Sequence, residues 1–219
     1  MSGREPAYLV LEDGTVFEGE RLGAAGSAVG EVVFNTSMTG YQEMLTDPSY
    51  GGQILVPTYP MIGNYGVNGS DWESSQIQVR GFVVRQDCPE PSHPDMEITV
   101  DEYLARHGIP GISGVDTRAI TKRLRTRGVM MGAISPSSDA ADAKAMLDAQ
   151  PRYGEEDVVA AVTTSESYEW TGAERHGEPF LTPLLRAGEG QGDVLSLSKG
   201  DGGSSPSPLA GEGRGEGEA

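Results

Sequence analysis

The composition changes abruptly near residue 178, and that break limits how much of the chain can build a core. Residues 179–219 hold 10 Gly, 5 Ser and 4 Pro in 41 positions, and Phe180 is the last aromatic residue. The stretches GEGQGD, KGDGGSSPSP and GEGRGEGEA are near-repeats of glycine and charge. Such segments bury too little apolar area to offset the entropy of ordering. The sequence therefore predicts one folded domain over residues 1–178 and a disordered Gly/Ser/Pro-rich tail over residues 179–219. The tail reads first as a solvated extension. An acidic interaction arm, or a foreign C-terminus joined to a shortened domain, are the alternatives.

Charge then narrows the partners. The chain has 16 Lys and Arg against 33 Asp and Glu, a net charge of −17. A surface of that sign repels phosphate backbones, so nucleic acid is excluded as a direct partner. No apolar run approaches the roughly 18 residues that span a bilayer, and the first residues carry no signal-peptide core. One cysteine excludes an intrachain disulfide framework and a cysteine-based zinc site, and the three histidines have no metal-ligand spacing. The expectation is a soluble, cytoplasmic protein with no membrane contact and no metal.

Within the folded part, strand and helix signals alternate. Residues 7–11 read as a strand, Asp13-Gly14 as a hairpin turn, and residues 15–18 as the returning strand. Residues 29–35 and 53–56 read as buried strands, and residues 77–85 as a longer one. Thr39 is expected to cap a short helix through Leu45, with Gln42 completing a capping box, before Asp47-Pro48 ends it. Thr99 and Glu102 form a second capping box, with Gly108 closing the helix. Residues 111–115 form a strand. Asp116 or Thr117 caps a helix running to Arg127, closed by Gly128. Residues 129–134 form a strand, and Ser138 or Asp139 opens a last helix stopped by Pro151. The alternation with short strands predicts an α/β domain of layered β/β/α type with mixed strand pairing.

Four features could carry chemistry. Cys88 lies in RQDCPEPS, where nearby prolines oppose the helix start that would lower a thiol pKa, so an incidental loop cysteine is the default. The segments GAAGSAVG and IGNYGVNG match neither a dinucleotide nor a P-loop fingerprint, and read as tight turns. Residues 117–127 hold Arg118, Lys122, Arg123, Arg125 and Arg127, 5 of the 16 cations, around a core stripe of Ile120 and Leu124. A solvated face is the plain reading, and docking to an acidic partner surface through Arg118, Lys122, Arg123 and Arg127 is the functional one. The stretch NTSMTGYQEMLTDPSYGGQ is dense in hydroxyl and amide groups around two turns. Ser49 is presented on a loop, and turn and cap bonds account for all of these residues.

The segments EVVFNTSMTGYQEMLTDPSYGGQI, TYPMIGNYGVN and GVDTRAITKRLRTRG closely resemble the small subunit of glutamine-dependent carbamoyl phosphate synthetase. LVLEDGTVFEG and VTTSESYEWTG match as well, so the resemblance runs over roughly residues 7–172. It implies a β/β/α layered N-terminal domain that docks on a large, ATP-using subunit. In the family a class I amidotransferase domain follows and hydrolyses glutamine with a Cys–His–Glu triad. The ammonia serves carbamoyl phosphate synthesis for the arginine and pyrimidine pathways. Beyond residue 178 this chain has the low-complexity segment instead, with neither nucleophile elbow nor H-x-E, so no catalytic residue is carried over. The resemblance implies one substrate contact, the serine of the DPSY motif, here Ser49, toward glutamine. It implies ATP and Mg on the large subunit and no cofactor in this chain. The isolated chain is expected to be inactive. A non-catalytic binding module and a truncated, inactive copy are the alternatives.

Overall fold

The structure is a computed structural model that describes residues 4–136, 140–150 and 158–163. The expected start of the last helix at Ser138 or Asp139, the segment 164–172 and the predicted tail 179–219 lie outside the described residues.

Seven strands close into a barrel. In chain order they are β1 (Pro6–Leu11), β2 (Val16–Gly23), β3 (Ala28–Asn35), β4 (Gln53–Pro57), β6 (Gly81–Val83), β8 (Pro110–Ser113) and β9 (Met131–Ser135). Two further strands, β5 (Met61–Ile62) and β7 (Gln86–Asp87), pair with each other outside it. Around the barrel the order is β1-β2-β8-β6-β4-β3-β9. The β3–β4, β4–β6 and β6–β8 pairs are parallel, and the remaining ones antiparallel. The mixed α/β class and mixed pairing read from the sequence hold. Closure was not legible in it.

Alternation of side chains explains the closure. One set comes from around the barrel: Leu9 and Leu11 (β1), Val32 (β3), Ile54 and Val56 (β4), Val83 (β6), Ile112 (β8) and Ile134 (β9), with Phe17 of β2 packed beside them. Alternate residues of a strand point to opposite faces, so this shared set is the barrel interior. Helix α3 (Thr117–Arg127) adds Ile120 and Leu124 to it, and so closes over an end of the barrel. The opposite faces take the other helices. Leu55 and Phe82 pack with α1 (Tyr41–Thr46) and α2 (Val100–Arg106). Val10, Val29 and Ala133 pack with Ala143 and Leu147 of α4 (Ala140–Asp148). A last helix, α5, spans Val158–Val162.

Most local signals are realised. The Asp13-Gly14 turn joins β1 to β2, and Thr15 N–H and Oγ1 both donate to Asp13 Oδ1. The Thr99–Glu102 capping box is complete. Asp116 Oδ1 accepts from Ala119 N–H, and Gly128 closes α3. Two expectations are corrected. Thr39 does not cap α1. Gly40, at φ 85°, is the N-cap, a conformation glycine adopts without a Cβ penalty, and no side chain of the cap itself bonds the helix. Gln42 turns away to another loop. The strand expected over residues 77–85 is only Gly81–Val83. Gln78 N–H donates to Leu45 O in α1, outside the ladder, and Arg80 N–H to Gln53 O at the start of β4, just before β6 begins.

Candidate functional site

The polar stretch after β3 resolves into a set of turns around Ser49. Asn35 ends β3, and its Oδ1 accepts from Ser37 N–H at 2.7 Å. Its Nδ2 donates to Tyr50 Oη at 2.8 Å, and its carbonyl accepts from Thr58 N–H. Asp47 ends α1 and opens a 3-10 turn over Pro48–Tyr50. Asp47 Oδ1 accepts from Ser49 N–H at 2.8 Å, Asp47 O from Tyr50 N–H, and Pro48 O from Gly51 N–H. All of these bonds except the Asn35–Tyr50 side-chain pair hold backbone. Ser49 is exposed, and its Oγ makes no hydrogen bond among the described residues. A rigid turn thus presents a hydroxyl able both to donate and to accept.

The GNYG loop, residues 63–66, anchors α1 from the other side, which the sequence did not announce. Tyr65 Oη accepts from Gly40 N–H at 2.8 Å and Tyr41 N–H at 3.2 Å, replacing the missing side-chain cap. The Tyr41 and Tyr65 rings stack with centroids 4.1 Å apart. Tyr41 Oη donates to Gly66 O at 2.6 Å, and burial pushes this phenol pKa up. Gln42, buried, pairs with the Asn68 backbone in both directions: Nε2 to O at 2.6 Å, and Oε1 from N–H at 3.0 Å. The loop's glycines, Gly63 and Gly66, have positive φ, and a Cβ on them would meet Val100 Cγ2 and Met96 Cγ respectively, so they serve the turn and close approach to residues 96–100.

The basic helix divides into two kinds of cation. Arg118, Lys122, Arg125 and Arg127 are exposed, with no carboxylate partner among the described residues. Arg123 is different. It donates to Asp13 Oδ2 at 2.6 Å, tying α3 to the β1–β2 turn. Burial alone would raise the Asp13 pKa, but bonds from Thr15 and Arg123 outweigh it and bring it to about 2. Ala119, Lys122, Arg123, Thr126 and Arg127 line an open depression of about 390 Å³. Arg123 thus stands at its floor as a structural tie, while Lys122 and Arg127 remain available.

Cys88 is a free, half-buried thiol whose N–H donates to Ile62 O at 2.8 Å. Among the described residues no group of three His, Cys, Asp or Glu gathers to hold a metal ion, and no helix is long and apolar enough to cross a membrane.

The family match and the similar curated proteins agree with one another. Residues 9–134 match the family described as carbamoyl-phosphate synthase small chain, CPSase domain. The carbamoyl phosphate synthase small chain of Nostoc sp. is 50% identical over 172 residues, which is 78% of this chain and 44% of that protein. That of Clostridium perfringens is 50% identical over 167 residues, 76% of this chain and 47% of that protein. That of Nitratidesulfovibrio vulgaris Hildenborough is 45% identical over 190 residues, 86% and 50%. The chain thus spans about half the length of the curated relatives it matches. A solved aminopeptidase from Aneurinibacillus sp. strain AM-1 aligns with a TM-score of 0.35 at 13% identity, over 62% of this chain and 31% of that one, and carries no argument. With a family match over residues 9–134 and half of the positions identical over 172 residues of a relative, the chain belongs to the carbamoyl phosphate synthase small chain family and corresponds to its N-terminal part.

Proposed function

We propose that this chain serves glutamine-dependent carbamoyl phosphate synthesis as a docking domain that also supplies one wall of the glutamine site. Family membership supplies the reaction. The observation that carries the residue-level reading is the Ser49 hydroxyl, exposed and without a hydrogen-bond partner among the described residues, on a turn that pairs the N–H groups of Ser49, Tyr50 and Gly51. In this reading Ser49 Oγ hydrogen-bonds the bound glutamine. One hydroxyl contributes only about 0.5–1.5 kcal/mol, too little to hold glutamine alone. The remaining contacts and the catalytic triad come from an amidotransferase domain, and ATP and Mg belong to the large subunit, so this chain uses no cofactor of its own. It works in the cytoplasm, and alone it releases no ammonia. The layered β/β/α arrangement expected of such a domain stays part of this proposal, with α1 and α2 as its helical layer.

The partner is the large subunit of carbamoyl phosphate synthase. The exposed cations Arg118, Lys122 and Arg127 suit a contact with an acidic face of it, against the −17 charge of the whole chain. Mixing the purified chain with a large subunit tests the reading. A one-to-one complex is expected in size-exclusion chromatography, with no glutamate released from glutamine by the chain alone. Failure to form a complex sinks the docking role. Glutamate release by the chain alone sinks the claim that it gives only a wall.

A further inference from the structure

We propose that α5 is a strap that sets the pose of Ser49, with Val162 and Gly51 as positioning residues. The starting point is a glycine whose backbone does not need to be one. Gly51 has φ −53° and ψ 126°, open to most residues. What excludes a side chain is space. A Cβ on Gly51 would lie 2.7 Å from Val162 Cγ1 and 3.1 Å from Pro48 O. Val162 belongs to α5, far along the chain, and is half-buried against this turn. The helix end is closed by Thr163, whose N–H donates to Val159 O at 2.9 Å.

The contact bears directly on the serine. Gly51 N–H donates to Pro48 O, and Ser49 lies inside that closed turn. Displacing Gly51 therefore moves the Ser49 backbone with it. The next residue has a close neighbour of its own. Gly52 O lies against Gly30 of β3, where a Cβ would come within 2.5 Å. The turn is thus clamped between the barrel at Gly52 and α5 at Gly51, and neither contact touches the Ser49 hydroxyl. The functional weight of this strap rests on the reading of Ser49 as a glutamine contact. Its mechanical part does not.

The test is made on the full chain by backbone amide NMR, with Gly51→Ala, Val162→Ala and the double variant. Gly51→Ala is expected to shift the Ser49 and Tyr50 amide resonances and to speed exchange of the Ser49 amide, held by Asp47, by about tenfold. Val162→Ala alone is expected to speed the same exchange by removing the outer clamp. In the double variant the Ser49 resonance should move back toward the parent position, because the added methyl fills the space that Val162 Cγ1 vacates. Amides of β9, such as Ala133, should not move in any variant. The strap is overturned if the Ser49 amide is unmoved in both single variants, or if the two substitutions simply add. No glutamine is present in this measurement. A Ser49 with no role in glutamine binding would leave its outcome unchanged, and a failed strap would leave the Ser49 reading standing.

Discussion

Arg123 reaches across 110 residues of sequence to donate to Asp13 Oδ2 at 2.6 Å, so the most basic helix of an acidic chain is fastened by one of its own cations. The bond joins the lid of the barrel to its first hairpin. Thr15 bonds Asp13 Oδ1 on the other side, leaving the Asp13 side chain 11% exposed.

The pair makes stability depend on acid. Folding holds the Asp13 pKa near 2, below the unfolded value of about 3.9. The unfolded chain therefore takes up the proton first. The contribution is complete above about pH 4 and drains away as the pH falls toward 2. Asp13→Ala should cost about 1–2 kcal/mol at neutral pH, discounted because Arg123 is 40% exposed. Denaturant unfolding at pH 7 and pH 2.5 checks it. The variant's deficit should shrink at the lower pH, and an unchanged deficit would mean that the carboxylate charge contributes nothing.

The same tie decides which cations probe partner docking. Reversing Arg123 would break the fold contact and confuse two effects. Lys122 and Arg127 line the same depression, are exposed, and have no carboxylate partner among the described residues. The pair Lys122→Glu and Arg127→Glu should keep the parent melting temperature. It should slow association with a large subunit about tenfold at low salt, the difference narrowing as screening shortens to about 8–10 Å. Stopped-flow association at two salt concentrations measures both. Equal rates and equal salt slopes would leave this face as a solvated surface.

Legibility followed the range of each interaction. The Thr99–Glu102 box, the Asp116 cap and the Asp13-Gly14 turn are settled within a few residues, and all were readable. The stripe of Ile120 and Leu124 was readable as core, though the barrel interior it fills was not. Barrel closure depends on β9 pairing with both β1 and β3, which no local pattern announces. Ser49 becomes a candidate glutamine contact only through the family resemblance, because the local sequence gives a turn and no ligand. Val162 against Gly51 had no sequence signal beyond a glycine in a glycine-rich turn.

Gln42 offers a sharper stability test than any surface charge. Its amide satisfies both the N–H and the C=O of Asn68, and Gln42 and Asn68 are 2% and 6% exposed. Gln42→Ala strands two buried backbone groups, for a loss on the order of 2–4 kcal/mol. Gln42→Glu keeps the acceptor for Asn68 N–H but sets a carboxylate against Asn68 O, and should cost at least as much at neutral pH. Thermal unfolding of both variants ranks them. A loss below about 1 kcal/mol for the alanine variant would indicate that water replaces the amide.

Tyr65 separates stacking from capping at the start of α1. Its hydroxyl accepts from Gly40 N–H and Tyr41 N–H, while its ring stacks on Tyr41 at an interplanar angle of 18°. Tyr65→Phe keeps the stack and removes the acceptor. Two amides at the helix start then lose their partner, and α1 is too short, at six residues, to compensate by propagation. The expected loss is about 1–3 kcal/mol, with Tyr65→Ala costing more because the stack goes too. The local consequence is the more telling one. Helix α1 runs directly into Asp47, whose carboxylate and carbonyl hold the Ser49 turn. Loosening its first turn should therefore speed amide exchange from Gly40 through Leu45 while the Ser49 amide, held by Asp47 and clamped at Gly51 and Gly52, stays slow. Exchange that rises equally at Ser49 would mean that the turn depends on α1 for its order, and that the clamp by α5 and the barrel is not sufficient to hold it.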